Sequence, residues 1–485
     1  MPRYDNNLIV IGGGSAGLIA ALIGATVRAR VTLVERDRMG GDCLYTGCVP
    51  SKAFIRAARA AHEVRTAGRF GIHGQAPVVD FAVVMKRVRD VIAAIEPKDS
   101  PERYTGLGVQ CIAGEARIED SHHVRVRTAE GERTLSSRAI VLATGAAPFV
   151  PPVPGLRECE PLTSDSVWSL DSLPERLLVL GGGPMGCELA QSFSRLGSRV
   201  TLMDMEDRLL PREDPETSAL LEGVFRRERI DVRLGHRAVR VDAEGRGGRL
   251  YARTIDTEGT TEVELPFDEI LVAVGRRPGN REWLEEAGIA TNQDGSIVVD
   301  AHLRTSLPGV YACGDAVGPY QFTHMASHQA WYAAVNALFG RFWKFSVDYA
   351  VVPWATFTDP EVARVGLSQT QAEARGVPVE VVRYGLDDLD RALTEGAATG
   401  WVKVLVKPGT DRILGAQVVG DGAGEIIAEF VLAMRHGLGL KKLLSTIHIY
   451  PTRMEAVKSA AGAWRRRHAP ERLLSWVGWL NDRLR

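Results

Sequence analysis

The chain has no excess of either charge: 59 Lys and Arg stand against 60 Asp and Glu, a net charge of −1 over 485 residues. Nothing global therefore draws it to nucleic acid or to an anionic surface. It lacks any apolar run long enough to cross a bilayer. Its first residues, MPRYDNNLIVIGGG, pass from a short polar lead into a strand with no small-residue cleavage site, so no secretory segment is expected. Cysteine is scarce. The six present (Cys43, Cys48, Cys111, Cys159, Cys187, Cys313) are mostly scattered, which argues against a disulfide scaffold. A reducing compartment, the cytoplasm, with one special pair is the expectation. A zinc site would need a further Cys or His pair close to these two, none is obvious, and no metal ligand is assigned.

What the chain has in quantity is glycine, 50 residues of it, spread among dense apolar segments. That pattern points to many tight βα turns rather than disorder, and the length implies two to four domains. Residues 7–35 read as strand, glycine turn, helix and strand. LIVI leads into Gly12-Gly13-Gly14-Ser15-Ala16-Gly17, and VTLVE ends at Glu35. Gly12 makes the tight turn, Gly14 lets backbone approach a pyrophosphate, and Gly17 lets helix pack on strand. The pyrophosphate sits at the helix N-terminus, where free N–H groups and the dipole favour an anion. Glu35 is placed to accept from ribose hydroxyls.

The unit recurs. LLVL enters Gly181-Gly182-Gly183-Pro184-Met185-Gly186, and VTLMD ends at Asp204, so Gly181, Gly183 and Gly186 repeat the three roles. Gly12 to Glu35 and Gly181 to Asp204 are both 23 positions. One such turn is a weak signal; two, each closed by a carboxylate at one offset, predict two bound dinucleotides. The first copy precedes the cysteine pair, and three further strand-and-turn stretches accompany it: AIVLATG, EILVAVG and VYACGDA. A large cofactor threaded through several such segments is expected to be FAD. The second copy reads as an inserted nicotinamide domain. Asp204 stands where a 2′-phosphate would need a basic residue, and Glu206 and Asp207 add negative charge, so NAD(H) is favoured over NADP(H) even with Arg208 nearby.

The most specific stretch is GGDCLYTGCVPSK, Gly40 to Lys52. Cys43 and Cys48 are too far apart along a regular helix for an S–S bond, so Gly40, Gly41 and Gly47 are expected to bend the chain and close the loop. Pro50 falls early in the next helix, where a missing N–H costs least. A helix N-terminus lowers a cysteine pKa and favours the reactive thiolate. Cys43 is assigned to exchange with substrate, Cys48 to contact with the flavin, and Lys52 to stabilising negative charge.

With these residues in view the chain resembles the class I pyridine nucleotide–disulfide oxidoreductases, the group of dihydrolipoamide dehydrogenase, glutathione reductase and mercuric reductase. The resemblance runs from Asn7 to about Arg467 and includes ATG at Ala143–Gly145, GGGPMGCE, VGRRP at Val274–Pro278, YACGDA at Tyr311–Ala316 and WATFTDPEVARVGL at Trp354–Leu367. It implies an α/β fold with two Rossmann-like FAD/NAD(P)-binding domains plus an α+β C-terminal dimerisation domain. The boundaries are 1–150 and 275–345 for FAD, 151–274 for NAD(P), 346–467 for dimerisation and 468–485 for a tail. It further implies that Gly41, Lys52, Thr144, Gly145, Gly275, Gly314 and Asp315 line the cofactors, with Asp315 on the ribityl chain. Lys52 should pair with Glu188, and a helix beginning near His324 should aim its N-terminus at the flavin. The partners implied are a small-molecule acceptor and a second copy of the chain, with the active site shared across the interface.

One departure decides the chemistry. Disulfide reductases of this group place a general-base histidine directly before the proline of an HPT…E motif. Here the stretch is HIYPTRMEAV: Pro451, Thr452 and Glu455 fit, but Tyr450 precedes the proline and His448 stands two positions earlier. A tyrosine near its reference pKa of about 10 is neutral at pH 7 and does not readily take a proton from a thiol. Mercuric reductase carries a tyrosine in this region, and a soft metal ion on thiolates needs no such base. The vicinal C-terminal cysteines of mercuric reductases are absent, since no cysteine follows Cys313. The expectation is a mercuric-reductase-like enzyme whose acceptor is a thiol-bound soft metal ion, a quinone or an unusual disulfide. A dihydrolipoamide dehydrogenase is the rival, and an FAD-bound redox sensor the alternative of another class. His448 is read as a packed or solvated side chain rather than a catalytic one, and Cys111, Cys159, Cys187 and Cys313 as small apolar packing. The tail APERLLSWVGWLNDRLR sets Leu473, Val477, Leu480 and Leu484 on one face after Arg465-Arg466-Arg467. It is expected to pack on its own domain or a partner, with a membrane surface the lesser reading.

Overall fold

The computed structural model describes residues 3–255, 262–279 and 281–485. They form two compact units, Met1–Leu209 with Val224–Asp348 and Leu210–Gly223 with Tyr349–Arg485.

The first unit contains two parallel sheets, as the two glycine-turn units require. One runs in the order Val310–Ala312, Ile140–Leu142, Leu8–Ile11, Val31–Glu35, Val109–Ala113, every pairing parallel. Its central strands Leu8–Ile11 and Ile140–Leu142 are apolar along their whole length because both faces are covered. Leu8, Val10, Leu33 and Val141 pack with the small residues of the helix Ser15–Thr26. That helix carries Ala16, Ala20 and Ala21 inward against Ala326, Ala330, Ala333 and Ala334 of the helix Thr323–Phe339, so two backbones approach closely. Ile9, Ile11, Ile140 and Leu142 supply a second cluster on the opposite face.

The other sheet has the order Asp231–Arg233, Arg199–Met203, Arg176–Leu180, Glu269–Val272, again parallel throughout. The last strand is a correction. EILVAVG, grouped above with the flavin segments, pairs Leu271 with Val179 and belongs to the second nucleotide unit. Three apolar runs ending in glycine look alike along the chain, and only pairing tells which sheet each joins.

The second unit is built on an antiparallel sheet ordered Pro353–Thr356, Glu361–Gly366, Ile413–Gly420, Trp401–Val406, Glu380–Gly385. Val402, Val404, Val418, Ile426, Phe430 and Trp464 form its core. Two cations are wholly buried there. Lys403 Nζ donates to Asp214 and to Glu216 at 2.6 Å. Arg364 lies over the Trp354 ring at 4.3 Å and donates to the Arg212 carbonyl at 3.0 Å. These partners tie Leu210–Gly223 to this sheet, because a buried cation left unpaired would be prohibitively costly. The mixed α/β architecture agrees with the expected fold class.

The tail was expected to pack on its own domain or on a partner. The helix Glu471–Arg483 has no buried residue, and Leu473, Trp476 and Trp479 are 53%, 55% and 49% exposed. It does not pack on its own domain. Amphipathic spacing reports that a face exists, not what covers it. Among the described residues, no helix is long and apolar enough to cross a membrane.

Candidate active site

The two glycine turns are built alike. A Cβ on Gly17 would lie 1.7 Å from the Gly12 carbonyl oxygen, and one on Gly186 would lie 1.8 Å from that of Gly181. Gly12 and Gly181 have φ of +104° and +113°, a region that only glycine enters without strain. Each turn is held by the carboxylate at the end of its next strand: Glu35 accepts from the Gly13 N–H and Asp204 from the Gly182 N–H. Glu35 also accepts from Asp37 N at 2.8 Å and Asp204 from Glu206 N at 2.9 Å. Around Gly14 and Gly183 an added Cβ would meet nothing closer than 3.8 Å, so the space beside both helix N-termini is open.

That cradle fits a dinucleotide, and the first one fits FAD. Gly41 carries φ +58°, and its added Cβ would stand 2.6 Å from Gly14 Cα, which joins the cysteine loop to the turn. Gly145 and Gly275, both at positive φ, open onto free space; Thr144 lies beside Gly145 at the end of the strand Ile140–Leu142. The Gly314 N–H is held by Gln329 Oε1 at 2.7 Å. Next to it, burial pushes the Asp315 carboxyl up to about 6, with Arg276 opposing the rise and Asp42 and Cys48 adding to it. A desolvated carboxylate of this kind suits ligand hydroxyls that donate to it.

The cysteine loop is two helices with a break. Gly41–Tyr45 ends, Thr46 and Gly47 turn the chain, and Cys48–Thr66 begins. Gly47 has φ −113° and ψ −111°, which breaks the helical path and brings the Cys43 and Cys48 side chains within hydrogen-bond reach. Both are thiols in this structure. Trp168 Nε1 steadies the turn by donating to the Thr46 carbonyl at 2.8 Å. Arg276, from VGRRP, reaches Asp42 on the same loop and Ser164 Oγ at 2.8 Å.

The two sulfurs are not equivalent. The Cys43 thiol, then Thr323 and Lys52, lower Cys48 to about 6, against a burial effect that opposes them. Cys43 is pushed up, first because its S–H donates a hydrogen bond to the Cys48 thiolate and then by burial. Cys48 Sγ is 3.4 Å from Thr323 Oγ1, the first residue of the helix Thr323–Phe339, and itself opens the helix Cys48–Thr66. Two helix N-termini therefore face one sulfur, an arrangement that favours a thiolate. Lys52 Nζ is 2.9 Å from Glu188 Oε2, whose side chain is buried. Thr323 and Arg276 were not singled out by the sequence reading. The only hints were the neighbouring His324 and the VGRRP motif.

In the second unit, Tyr450 is 67% exposed and its hydroxyl donates to Asp390 Oδ2 at 2.8 Å. That bond, with the Asp390 and Glu455 charges, raises the tyrosine pKa and holds the proton on oxygen. Glu455 accepts from the Thr452 N–H at 3.4 Å. His448, expected to be packed or solvated, is packed. Its Nε2 meets Glu429 at 3.1 Å and its Nδ1 the Thr446 carbonyl at 3.1 Å, so both ring nitrogens are engaged. Cys159, Cys187 and Cys313 are fully buried and Cys111 partly so.

A family model described as pyridine nucleotide-disulphide oxidoreductase matches residues 6–330, and that family's dimerisation-domain model matches residues 352–461. A mercuric reductase of Streptomyces lividans is 38% identical over 94% of this chain and 95% of its own length. A dihydrolipoyl dehydrogenase of Thermus scotoductus is 37% identical over 96% and 98% respectively. Among solved structures, LpdA from Mycobacterium tuberculosis matches with a TM-score of 0.85 at 29% identity, covering 94% of this chain and 99% of that one. The Cu(II) complex of the HOCl-induced flavoprotein disulfide reductase RclA from Escherichia coli matches with a TM-score of 0.83 at 28% identity, covering 95% and 99%.

Proposed function

The chain belongs to the pyridine nucleotide-disulphide oxidoreductase family, FAD-dependent enzymes, and on that footing we propose that it carries electrons from NADH to Cys43 and Cys48 and on to a soft metal ion held by thiolates. Two electrons and two protons convert the Cys43–Cys48 disulfide to two thiols; NADH supplies the hydride and solvent the second proton. FAD, when bound, supplies the two-electron relay between nicotinamide and sulfur. The first glycine turn (Gly12, Gly14, Gly17), Glu35, Gly41, Lys52, Thr144, Gly145, Gly275, Gly314 and Asp315 would hold it. The second turn (Gly181, Gly183, Gly186) and Asp204 would hold the nicotinamide cofactor. Asp204 disfavours a 2′-phosphate, which supports NAD(H).

Cys48, at about 6, is mostly thiolate at neutral pH. The Lys52–Glu188 pair sets a positive charge near it without leaving that charge free. Cys43 keeps its proton and exchanges with the acceptor once Cys48 is engaged.

The observation that carries the acceptor assignment is the Tyr450 hydroxyl, committed to Asp390 and raised above its ordinary pKa. A group so held does not accept a proton from a dithiol, whereas a metal ion arriving on thiolates demands no base. The protein acts as a homodimer in which the exposed segment around Tyr450 and Glu455 completes the site of the other subunit. The exposure of Ile447 and Ile449, 94% and 79%, fits a segment that another subunit covers. No tie to a membrane is needed for this chemistry, and the cytoplasm supplies both NADH and thiols.

Dihydrolipoamide oxidation is the second reading, favoured by the 37% identity to a dihydrolipoyl dehydrogenase. Steady-state assays decide between them. With NADH, turnover on Hg²⁺ or Cu²⁺ in excess thiol should exceed turnover on lipoamide or glutathione disulfide. Ordinary rates with dihydrolipoamide and NAD⁺ would overturn the use made of Tyr450.

A further inference from the structure

The chain is nearly neutral, yet the stretch from Arg465 to Arg485 is not. It holds six arginines (Arg465, Arg466, Arg467, Arg472, Arg483, Arg485) against Glu471 and Asp482, a local net charge of +4. Most of this stretch is the helix Glu471–Arg483, in which no residue is buried. At 100° per residue, Trp476, Leu480, Leu473 and Val477 follow one another around the helix as an apolar arc, with Leu474 past Asn481 at its leucine edge. Arg472 and Arg483 lie at its tryptophan edge, between Trp476 and Trp479, and Arg483 stacks on the Trp479 ring at 4.1 Å. Arg485 lies beyond the leucine edge. Glu471, Ser475 and Asp482 occupy the opposite pole.

We propose that this helix lies on the surface of an anionic phospholipid bilayer and anchors the enzyme there as a peripheral membrane protein. Three features select that occupant. An apolar arc left open to water is unfavourable, and Trp476 and Trp479 are large amphipathic rings of the kind that settle at the depth of lipid head groups. The arginines border the arc, so burying it brings guanidinium groups level with lipid phosphates, where their charges are complementary. A second copy of the helix would instead bring Arg472 and Arg483 toward their own likes. Thirteen residues span roughly 20 Å, enough to lie in the interface and far too short to cross it. Attachment is therefore reversible and sensitive to salt.

The test is co-sedimentation of the full-length holoenzyme with phosphatidylcholine vesicles, with and without phosphatidylglycerol, scored by protein in the pellet. The wild type should pellet with the anionic vesicles at low salt, weakly with the neutral ones, and return to solution as salt is raised. Each arginine near the surface is worth about fivefold in partitioning, so Arg472→Gln with Arg483→Gln should lose roughly 25-fold. Trp476→Ser with Trp479→Ser should abolish binding. Because the helix buries nothing, both double variants should melt at the wild-type temperature and keep wild-type turnover with NADH and a soluble acceptor. Wild type that stays in the supernatant with anionic vesicles, or variants that bind as well as wild type, would overturn the proposal. So would deletion of residues 471–485 that turns a dimer into a monomer and leaves vesicle binding unchanged, which would make the face a subunit interface.

Discussion

Cys43→Ala removes the thiol that contributes most to holding Cys48 at about 6. What remains is Thr323 Oγ1 at 3.4 Å and the Lys52 charge. A hydrogen bond to a charged acceptor contributes about 1.5–3 kcal/mol, and 1.36 kcal/mol corresponds to one pH unit. An S–H is a weak donor, so the lower part of that range applies and the Cys48 midpoint should rise by about one unit, to roughly 7. The assay is the rate of Cys48 alkylation by iodoacetamide against pH on fully reduced protein, followed on the Cys48 peptide by mass spectrometry. Cys43→Ser keeps a hydroxyl donor and should keep most of the lowering. Stability follows the same sign. The folded pKa lies below the unfolded reference of 9.0, so the Cys48 contribution is complete above that pH and is lost as pH falls through about 6. The Tm of reduced wild type should thus climb between these limits, and that of Cys43→Ala over a narrower range beginning about one unit higher. An alanine variant whose midpoint stays at the wild-type value would refute the argument that one sulfur tunes the other.

Tyr450→His replaces a group that holds its proton with one that titrates near neutrality, and its rate on lipoamide or glutathione disulfide should rise at least ~10-fold. An unchanged rate with flavin content intact would count against the proton-transfer argument. Gly17→Ala places a methyl 1.7 Å from the Gly12 oxygen. The helix must then leave the strand, and the purified protein should be colourless or insoluble; normal flavin absorbance would contradict the packing account. Lys403→Met strands Asp214, which burial alone would raise but Lys403 holds at about 2. Urea unfolding should show a loss of about 3 kcal/mol, and a loss below ~1 kcal/mol would mean the buried pair contributes no more than a surface one.

The local parts of the site were readable along the chain because they depend on near neighbours. Gly12, Gly17 and Glu35 lie within one strand–turn–helix–strand unit, and steric need for glycine at a close approach leaves the same mark twice. The Cys43–Cys48 spacing likewise announces a broken helix, since no regular one could bring those sulfurs together. The Tyr450 substitution was legible for the same reason, as one residue out of place in a short motif. His448 was expected to be packed or solvated, and that it would be packed with Glu429 as its partner had no local sign.

Tertiary structure decided whatever depends on residues far apart in sequence. Thr323 reaches Cys48 across 275 positions and Glu188 reaches Lys52 across 136, so the share of the Cys48 lowering that Thr323 supplies is a product of folding that no window of the chain contains. The sheet to which Glu269–Val272 belongs and the openness of Glu471–Arg483 are of the same kind. Periodicity tells a segment which of its faces is apolar. Only the folded chain settles what stands opposite that face, because burial and pairing are properties of two surfaces and the sequence of a segment describes one.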